Sequence, residues 1–421
     1  MTKPSTLSAR RRPWLAAGMA LLLIAGCQTT STGSPLGDAG APPAVVQPFD
    51  TWLADLRADA TAQGVRPRTL DAALRSIRLI DRVLELDSAQ PEFTRPVWSY
   101  LDSAISDKRV RLGREKLEQH ATLLRTVDKK TGVPPEILVA FWGVESNFGE
   151  NMGNFTVVDA LATLAYQGRR SAMFRAELIA ALKILDAGDI GRDAMLGSWA
   201  GAMGQTQFMP TAYLRHAEDQ DGDGRRDIWK SLPDVFASTA RYLADAGWKP
   251  GERWGEEVVL PANFPWDLAE LTTKKPVADW RRLGVRAARG GELAGTGETA
   301  SILLPAGHTG PAFLVRDNFR VIMRYNSAIS YALAVALLSD RYKGAPPLAT
   351  DWPRHEQPLA RPEVLEMQQR LDALGHAAGK LDGMVGLATR TAIRGFQKSI
   401  GAVPDGFATK SVLERLRTAS N

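Results

Sequence analysis

The stretch FWGVESNFG, Phe141 to Gly149, decides how the rest of this chain is read, together with SWAGAMGQTQFMP, Ser198 to Pro210. Pro134 and Pro135 suit a helix start, where a missing N–H costs nothing. Leu138, Phe141 and Trp142 precede Glu145 by seven, four and three residues, which places them on its own helix face. The carboxyl therefore stands near a helix C-terminus, against the negative end of the dipole and among alkyl and indole groups. Both effects disfavour the charged form and raise the pKa. A carboxyl held protonated near neutrality can serve as a general acid. The plain alternative is a surface glutamate at a fraying helix end.

The second stretch groups Ala200, Gly201, Ala202 and Gly204 around Met203, then adds Gln205, Gln207, Phe208 and Met209. Small residues let a backbone approach a ligand, amides hydrogen-bond hydroxyl and acetamido groups, and Phe and Met give apolar contact. A sugar polymer needs that mixture. A glycine-rich helix crossing would need the small residues alone.

GVESNFG followed by SWAGAMGQTQFMPTAY resembles the membrane-bound lytic murein transglycosylase B family, and RYLADAGW (Arg241 to Trp248) and RYNSAISYA (Arg324 to Ala332) extend the likeness in the same order. The resemblance implies a mainly α, lysozyme-like α+β catalytic domain with a small β-containing lobe. It implies that Glu145 is the single catalytic acid and base. It maps substrate contacts onto Ser198, Gln207, Phe208, Tyr242, Tyr325, Asn326 and Tyr331. Thr206 stands where family members often carry glycine, a departure that touches subsite detail only.

The first 27 residues read as a lipoprotein signal. Lys3 and Arg10 to Arg12 form a positive start, Trp14 to Ala25 is an apolar run too short to span a bilayer, and Ile24-Ala25-Gly26-Cys27 resembles a bacterial lipobox. Cys27 is the only cysteine, which excludes a disulfide framework, a CxxC metal site and cysteine–histidine catalysis. Its position makes it the expected lipidation site, with Gln28 suggesting outer-membrane delivery and a body held on the periplasmic face. The formal charge of +5 is mostly the leader's; without it the chain is near neutral, and nothing points to nucleic acid.

Residues 28–48 read as a flexible tether, 49–343 as the catalytic domain, 344–358 as a proline-rich linker and 359–421 as a separate unit. Helix-spaced apolar residues predict helices over Thr69–Leu74, Arg109–Lys129, Met173–Asp186, Val235–Ala246 and Tyr325–Tyr342. Short β-rich runs, Glu257–Leu260, Ser301–Leu304 and Phe313–Val315, predict the small lobe. The last unit carries an internal echo, Asp382-Gly383 and Asp405-Gly406, followed by Thr389 and Thr409. With Gln368, Leu371 and Phe396-Gln397 it resembles the small three-helix peptidoglycan-binding domain appended to cell-wall enzymes.

DQDGDGRRDIW, Asp219 to Trp229, sets carboxylates at positions 1, 3, 5 and 9 of a loop with glycine at 6, most of an EF-hand calcium loop. Asp219, Asp221 and Asp223, the carbonyl of Arg225, and Asp234 in place of a position-12 glutamate (here Lys230) are the candidate ligands of a structural calcium. An acidic turn serving backbone geometry is the alternative. The five histidines show no i, i+4 pair, and no GxSxG, Walker or Rossmann pattern occurs.

The expected protein is a monomeric lytic transglycosylase acting on peptidoglycan glycan strands, anchored to the membrane by lipid and needing no cofactor for its chemistry. Glu145 would protonate the β-1,4 bond between N-acetylmuramic acid and N-acetylglucosamine, then take a proton from the C6 hydroxyl as a 1,6-anhydro ring closes. Two rivals remain: a lysozyme-type hydrolase, which normally needs a second carboxylate such as Glu150 or Asp159, and a silent wall-binding lipoprotein.

Overall fold

The helix Pro135–Ser146 is the axis of the larger unit, and every residue from Ile137 to Gly143 is buried. A helix apolar all round must be enclosed. Helices Asp107–Gln119, Ala121–Thr131, Leu232–Asp245 and Ile329–Tyr342 enclose it. The structure, a computed structural model, describes residues 47–89, 96–295 and 297–419; the signal, Cys27 and nearly all of the tether lie outside them.

A second core forms where Val157–Gln167 packs along Ser171–Ala187, with Phe49–Ala62, Pro67–Leu74 and Pro210–His216 laid against the latter. Tyr242 and Tyr325 pack on both cores, so the ground between the cores is lined with aromatic rings.

Two expected helices are each divided. Arg109–Lys129 is two helices that meet at His120, whose ring turns edge-on to Trp142 at 5.9 Å. Apolar spacing does not register a hinge of one residue, because the buried stripe continues across it. Tyr325–Tyr342 begins instead at Ile329; the preceding helix, Asp317–Tyr325, ends at Tyr325 and meets it at 118°. Asn326 takes extended backbone there and its Oδ1 accepts the Ala328 N–H at 3.0 Å. A local side-chain bond of this kind competes with helix continuation.

The small lobe is a five-stranded antiparallel sheet in the order Lys275–Pro276, Thr299–Leu303, Ala312–Val315, Gly255–Val259, Arg286–Ala287. The two central strands pair Gly255 with Val315 and Glu257 with Phe313. Arg316 at the strand end is fully buried and holds Glu256 at 2.9 Å and Glu298 at 2.7 Å. Trp280 fills the lobe's own core and donates its indole N–H to the Ala300 carbonyl at 2.9 Å.

Three helices, Arg361–Ala373, Leu387–Ser399 and Lys410–Ala419, close on Met367, Leu371, Ile393, Phe396 and Leu416. The sequence echo is one device used twice. Gln368 accepts the Gly383 N–H and Gln397 the Gly406 N–H, each at 2.9 Å, while Asp382 and Asp405 each accept the N–H two residues on, at 2.9 Å. The described part is thus mainly helical, with the five-stranded sheet, a two-stranded one pairing Phe155–Thr156 with Leu196–Gly197, and a three-helix C-terminal unit.

Candidate active site

Glu145 is the penultimate residue of helix Pro135–Ser146. The chain then leaves the helix sharply. Asn147 and Phe148 both adopt left-handed backbone, with φ of 50° and 61°, and the Phe148 N–H bonds back to the Trp142 carbonyl at 3.1 Å. Asparagine tolerates that conformation at a helix end. Phenylalanine does not, and its packing holds it: the ring is buried and edge-on to Trp142 at 5.4 Å. The Asn147 side chain accepts from Arg109 Nη2 at 3.4 Å and donates to Glu150 at 2.5 Å.

The Glu145 residue is partly accessible, as an acid that must reach a substrate requires. The protein packed about it is nonetheless dense enough that burial pushes its carboxyl up to about 8. The Tyr331 hydroxyl donates to Oε1 and pulls the other way, because it favours the charged form. Tyr331 itself is buried, and burial together with the nearby carboxylate holds its phenol well above the usual range.

The candidate aromatic residues form one row. Phe141 meets Tyr325 at 4.7 Å, Tyr325 meets Tyr242 at 4.7 Å, and Phe208 lies 5.7 Å from Tyr242. The Tyr325 hydroxyl donates to the Thr206 carbonyl, which ties the second sequence motif to the helix pair bent at Asn326. Tyr242 donates to the Arg324 carbonyl at 2.7 Å. Asn326 is buried at the same bend.

The second motif is a tight loop in which Met203 bridges Gly197 on one side and Phe208 on the other. Ser198 is half-buried and its Oγ accepts the Ala202 N–H at 3.0 Å. Gln205 takes the Trp142 indole N–H at 2.7 Å and donates to the Trp229 carbonyl at 2.8 Å, so its amide braces the Glu145 helix rather than offering itself to a sugar. Gln207 donates to the carbonyls of Met152 at 3.0 Å and Gly204 at 2.8 Å. The expectation that the small residues admit a ligand is corrected at two of them. A Cβ on Gly201 would lie 2.4 Å from Leu161, and one on Gly204 would lie 2.8 Å from Ile228, so both glycines make room for protein.

Sequence reasoning missed Tyr100 and Arg109. Burial, and after it the Glu145 charge, pushes the Tyr100 phenol up, so the acid's field reaches Tyr100. Arg109 Nη1 holds the Ser103 and Ala104 carbonyls at 3.0 and 2.9 Å, at the end of the helix that carries Tyr100. That helix has eight residues and no motif, so nothing local announced it. Of the rival carboxylates, Glu150 is exposed and bound to Asn147. Asp159 is buried and held by Arg192 at 2.7 Å and the Arg78 N–H at 3.2 Å, a structural pair.

Asp219, Asp221 and Asp223 bring ligand oxygens within 4.8 Å of one another, a donor set of hard oxygens that fits a calcium ion. Asp219 already accepts the Gly222 and Gly224 N–H groups at 2.8 and 2.9 Å, which curls the loop toward a common centre. Asp234 does not join them. It is fully buried, and its two oxygens accept the Gln220 and Asp227 N–H groups, each at 2.8 Å. It braces the loop from beneath, and its expected role as a ligand is corrected accordingly.

Residues 48–340 match the transglycosylase SLT domain family, and residues 360–416 match a peptidoglycan binding domain family. The chain is 33% identical over 279 residues to the membrane-bound lytic murein transglycosylase B of Escherichia coli, covering 64% of this chain and 73% of that protein. SltB3 of Pseudomonas aeruginosa, solved in complex with NAG-anhNAM-pentapeptide, superposes with a TM-score of 0.86 at 50% identity, over 88% of this chain and all of that one. The E. coli lytic transglycosylase Slt35, solved in complex with calcium, gives a TM-score of 0.60 at 30% identity, over 70% of this chain and 93% of that one.

Proposed function

The chain belongs to the SLT-domain lytic transglycosylases, enzymes that cleave peptidoglycan, and from that premise we propose that Glu145 alone supplies both acid and base. The observation that carries this is a carboxyl pushed up to about 8 by burial, with Tyr331 as its hydrogen-bond partner and no second carboxylate contributing to the shift. Protonated, Glu145 donates to the oxygen of the β-1,4 bond between N-acetylmuramic acid and N-acetylglucosamine. The substrate's acetamido group stabilises the positive charge developing at C1. Glu145, now ionised and accepting from Tyr331, takes the proton of the C6 hydroxyl as that oxygen closes on C1. Tyr242 and Tyr325, both partly exposed, offer stacking faces and Ser198 a polar contact, while Phe208 packs behind the two tyrosines and Gln207 and Asn326 are buried at the same place.

Ring closure outruns water by proximity. A well-placed internal hydroxyl reaches effective molarities of ~10⁵–10⁸ M. Digestion of wall glycan in heavy-oxygen water should therefore give unlabelled products one water lighter than hydrolysis products. Labelled reducing ends as the main product would move the protein to the hydrolases.

Two finer readings go with this. Asp219, Asp221 and Asp223 hold a calcium ion, a reading supported by their mutual spacing and by the calcium complex of Slt35. Calcium supplies a fixed positive charge that cross-links the loop and takes no part in bond cleavage. Cys27 carries the lipid anchor on the periplasmic face of the outer membrane, as the lipobox pattern suggests. An intact mass of membrane-extracted protein should start at an acylated Cys27, and an unmodified N-terminus would refute it.

A further inference from the structure

The C-terminal unit is seated on the small lobe. Arg394, its side chain 6% exposed, reaches Glu270 at 2.8 Å, Arg390 reaches the same carboxylate at 3.2 Å, and Lys398 pairs with Asp267 at 2.8 Å. Across the same seam Asp405 accepts the His308 backbone N–H at 2.9 Å, and His308 Nδ1 lies 2.6 Å from the same oxygen. Beside these contacts opens a cleft of about 130 Å³, shared between the lobe at His308, the linker at Glu356 and the C-terminal unit at Ile400, Val403, Val412 and Arg415.

Most polar groups in its wall are engaged with one another. Asp405 is saturated by His308, Gln397 and the Phe407 N–H, and Thr409 is bonded to Ser411. Two charged groups have no ion-pair partner among the described residues. Arg415 is exposed and has no hydrogen bond or ion pair among the described residues. The Glu356 carboxylate receives the Ser411 hydroxyl at 3.4 Å and nothing else among the described residues. Ser411 and Arg415 are four residues apart on one helix, so the residue that meets the Glu356 carboxylate and the residue that carries the guanidinium share one helix face. Ile400, Val403 and Val412 line the space beside them with alkyl groups, and Ile400 is left 38% exposed.

The geometry points to a second substrate contact at this seam, a site for an amino-acid head group that presents an ammonium to Glu356 and a carboxylate to Arg415, with its aliphatic stem on Ile400 and Val412. Such a head group is carried by the peptide stem of peptidoglycan where a diamino acid leaves one end unlinked. The inference rests on the peptidoglycan reading and extends it from the glycan to the peptide. It also gives the docked arrangement a use, because the site exists only while lobe, linker and C-terminal unit are held together. An uncrosslinked stem would thereby be distinguished from a crosslinked one, whose ammonium is consumed in an amide.

The test is calorimetric titration of the full-length protein with the tripeptide L-alanyl-γ-D-glutamyl-meso-diaminopimelate and with its L-lysine counterpart, which keeps the side-chain ammonium and the C-terminal carboxylate but lacks the carboxylate beside that ammonium. The diaminopimelate peptide should bind at least tenfold more tightly. Arg415→Ala and Glu356→Gln should each weaken it about tenfold, while Arg415→Lys, which keeps the charge, recovers part of the loss. Turnover of glycan strands stripped of peptide should match the wild type in all three variants. Equal affinity for the lysine peptide, indifference to Arg415→Ala, or no binding at millimolar peptide would each overturn the proposal. Failure to cut the stripped glycan would count against Glu145 chemistry and leave the seam site standing.

Discussion

At the scale of the residue, Glu145 links function to stability. Its folded-state pKa of about 8 stands above the ordinary carboxyl value of 4.5. Between those values the folded protein holds a proton that the unfolded chain releases, so stability falls as pH rises from about 4.5 to about 8 and then levels off. Glu145→Gln keeps the shape and the acceptor for Tyr331 but cannot ionise. It should abolish turnover, with a loss beyond the ~10²–10⁴-fold of one acid–base step, and raise the melting temperature at pH 9 relative to wild type. An unchanged melting profile would show the carboxyl to be well solvated. Tyr331 lowers that pKa by favouring the ionised form, so Tyr331→Phe should move the alkaline limb of kcat/KM upward while reducing its maximum. A limb that stays in place or moves down would mean another group titrates there.

At the scale of the element, the stretch from Pro134 to Gly149 already contains most of what makes the acid. A 3.6-residue period puts Leu138, Phe141 and Trp142 beneath Glu145, and the helix starts at Pro135 as the proline pair requires. The acidic turn proposed to hold calcium was equally legible as a turn, because each Asx turn closes within a few residues. Its expected fourth side-chain ligand was not, since Asp234 is drawn under the loop by the burial of its own helix. Calcium at a hundred times its dissociation constant adds about 2.7 kcal/mol, which for a unit of this size raises the melting temperature by roughly 5 °C. Asp221→Asn should shrink that rise, and an identical melting curve in chelator and in millimolar calcium would remove the ion from the account.

At the scale of the whole molecule, the two matched units are joined by more than a linker. Removing residues 359–421 should leave turnover of short soluble glycans near wild type and weaken retention on whole peptidoglycan by tenfold or more, because tethering acts on effective concentration. Equal loss on both would make the C-terminal unit part of the catalytic fold. Glu270→Gln tests the seam with the chain intact. It leaves the Arg394 guanidinium buried without its charge partner, a defect worth ~3 kcal/mol, and it should lower the melting temperature and open the linker to protease. A variant as stable and as resistant as wild type would mean the seam is held elsewhere.

The sequence by itself determined what is local: the helix that ends in an acid, the Asp-Gly turns braced by Gln368 and Gln397, the alternation that makes a β lobe, and four motifs whose order names the reaction. These follow from sterics, periodicity and capping within a turn or two of the chain. Only the tertiary structure decided what surrounds the acid. Tyr331 lies 186 residues from Glu145 in sequence, Tyr100 comes from a helix without a motif, and Gln205 braces Trp142 from a loop that looked made for sugar. Partners so distant are chosen by which apolar faces share a core, and that choice is made by all of the packing at once.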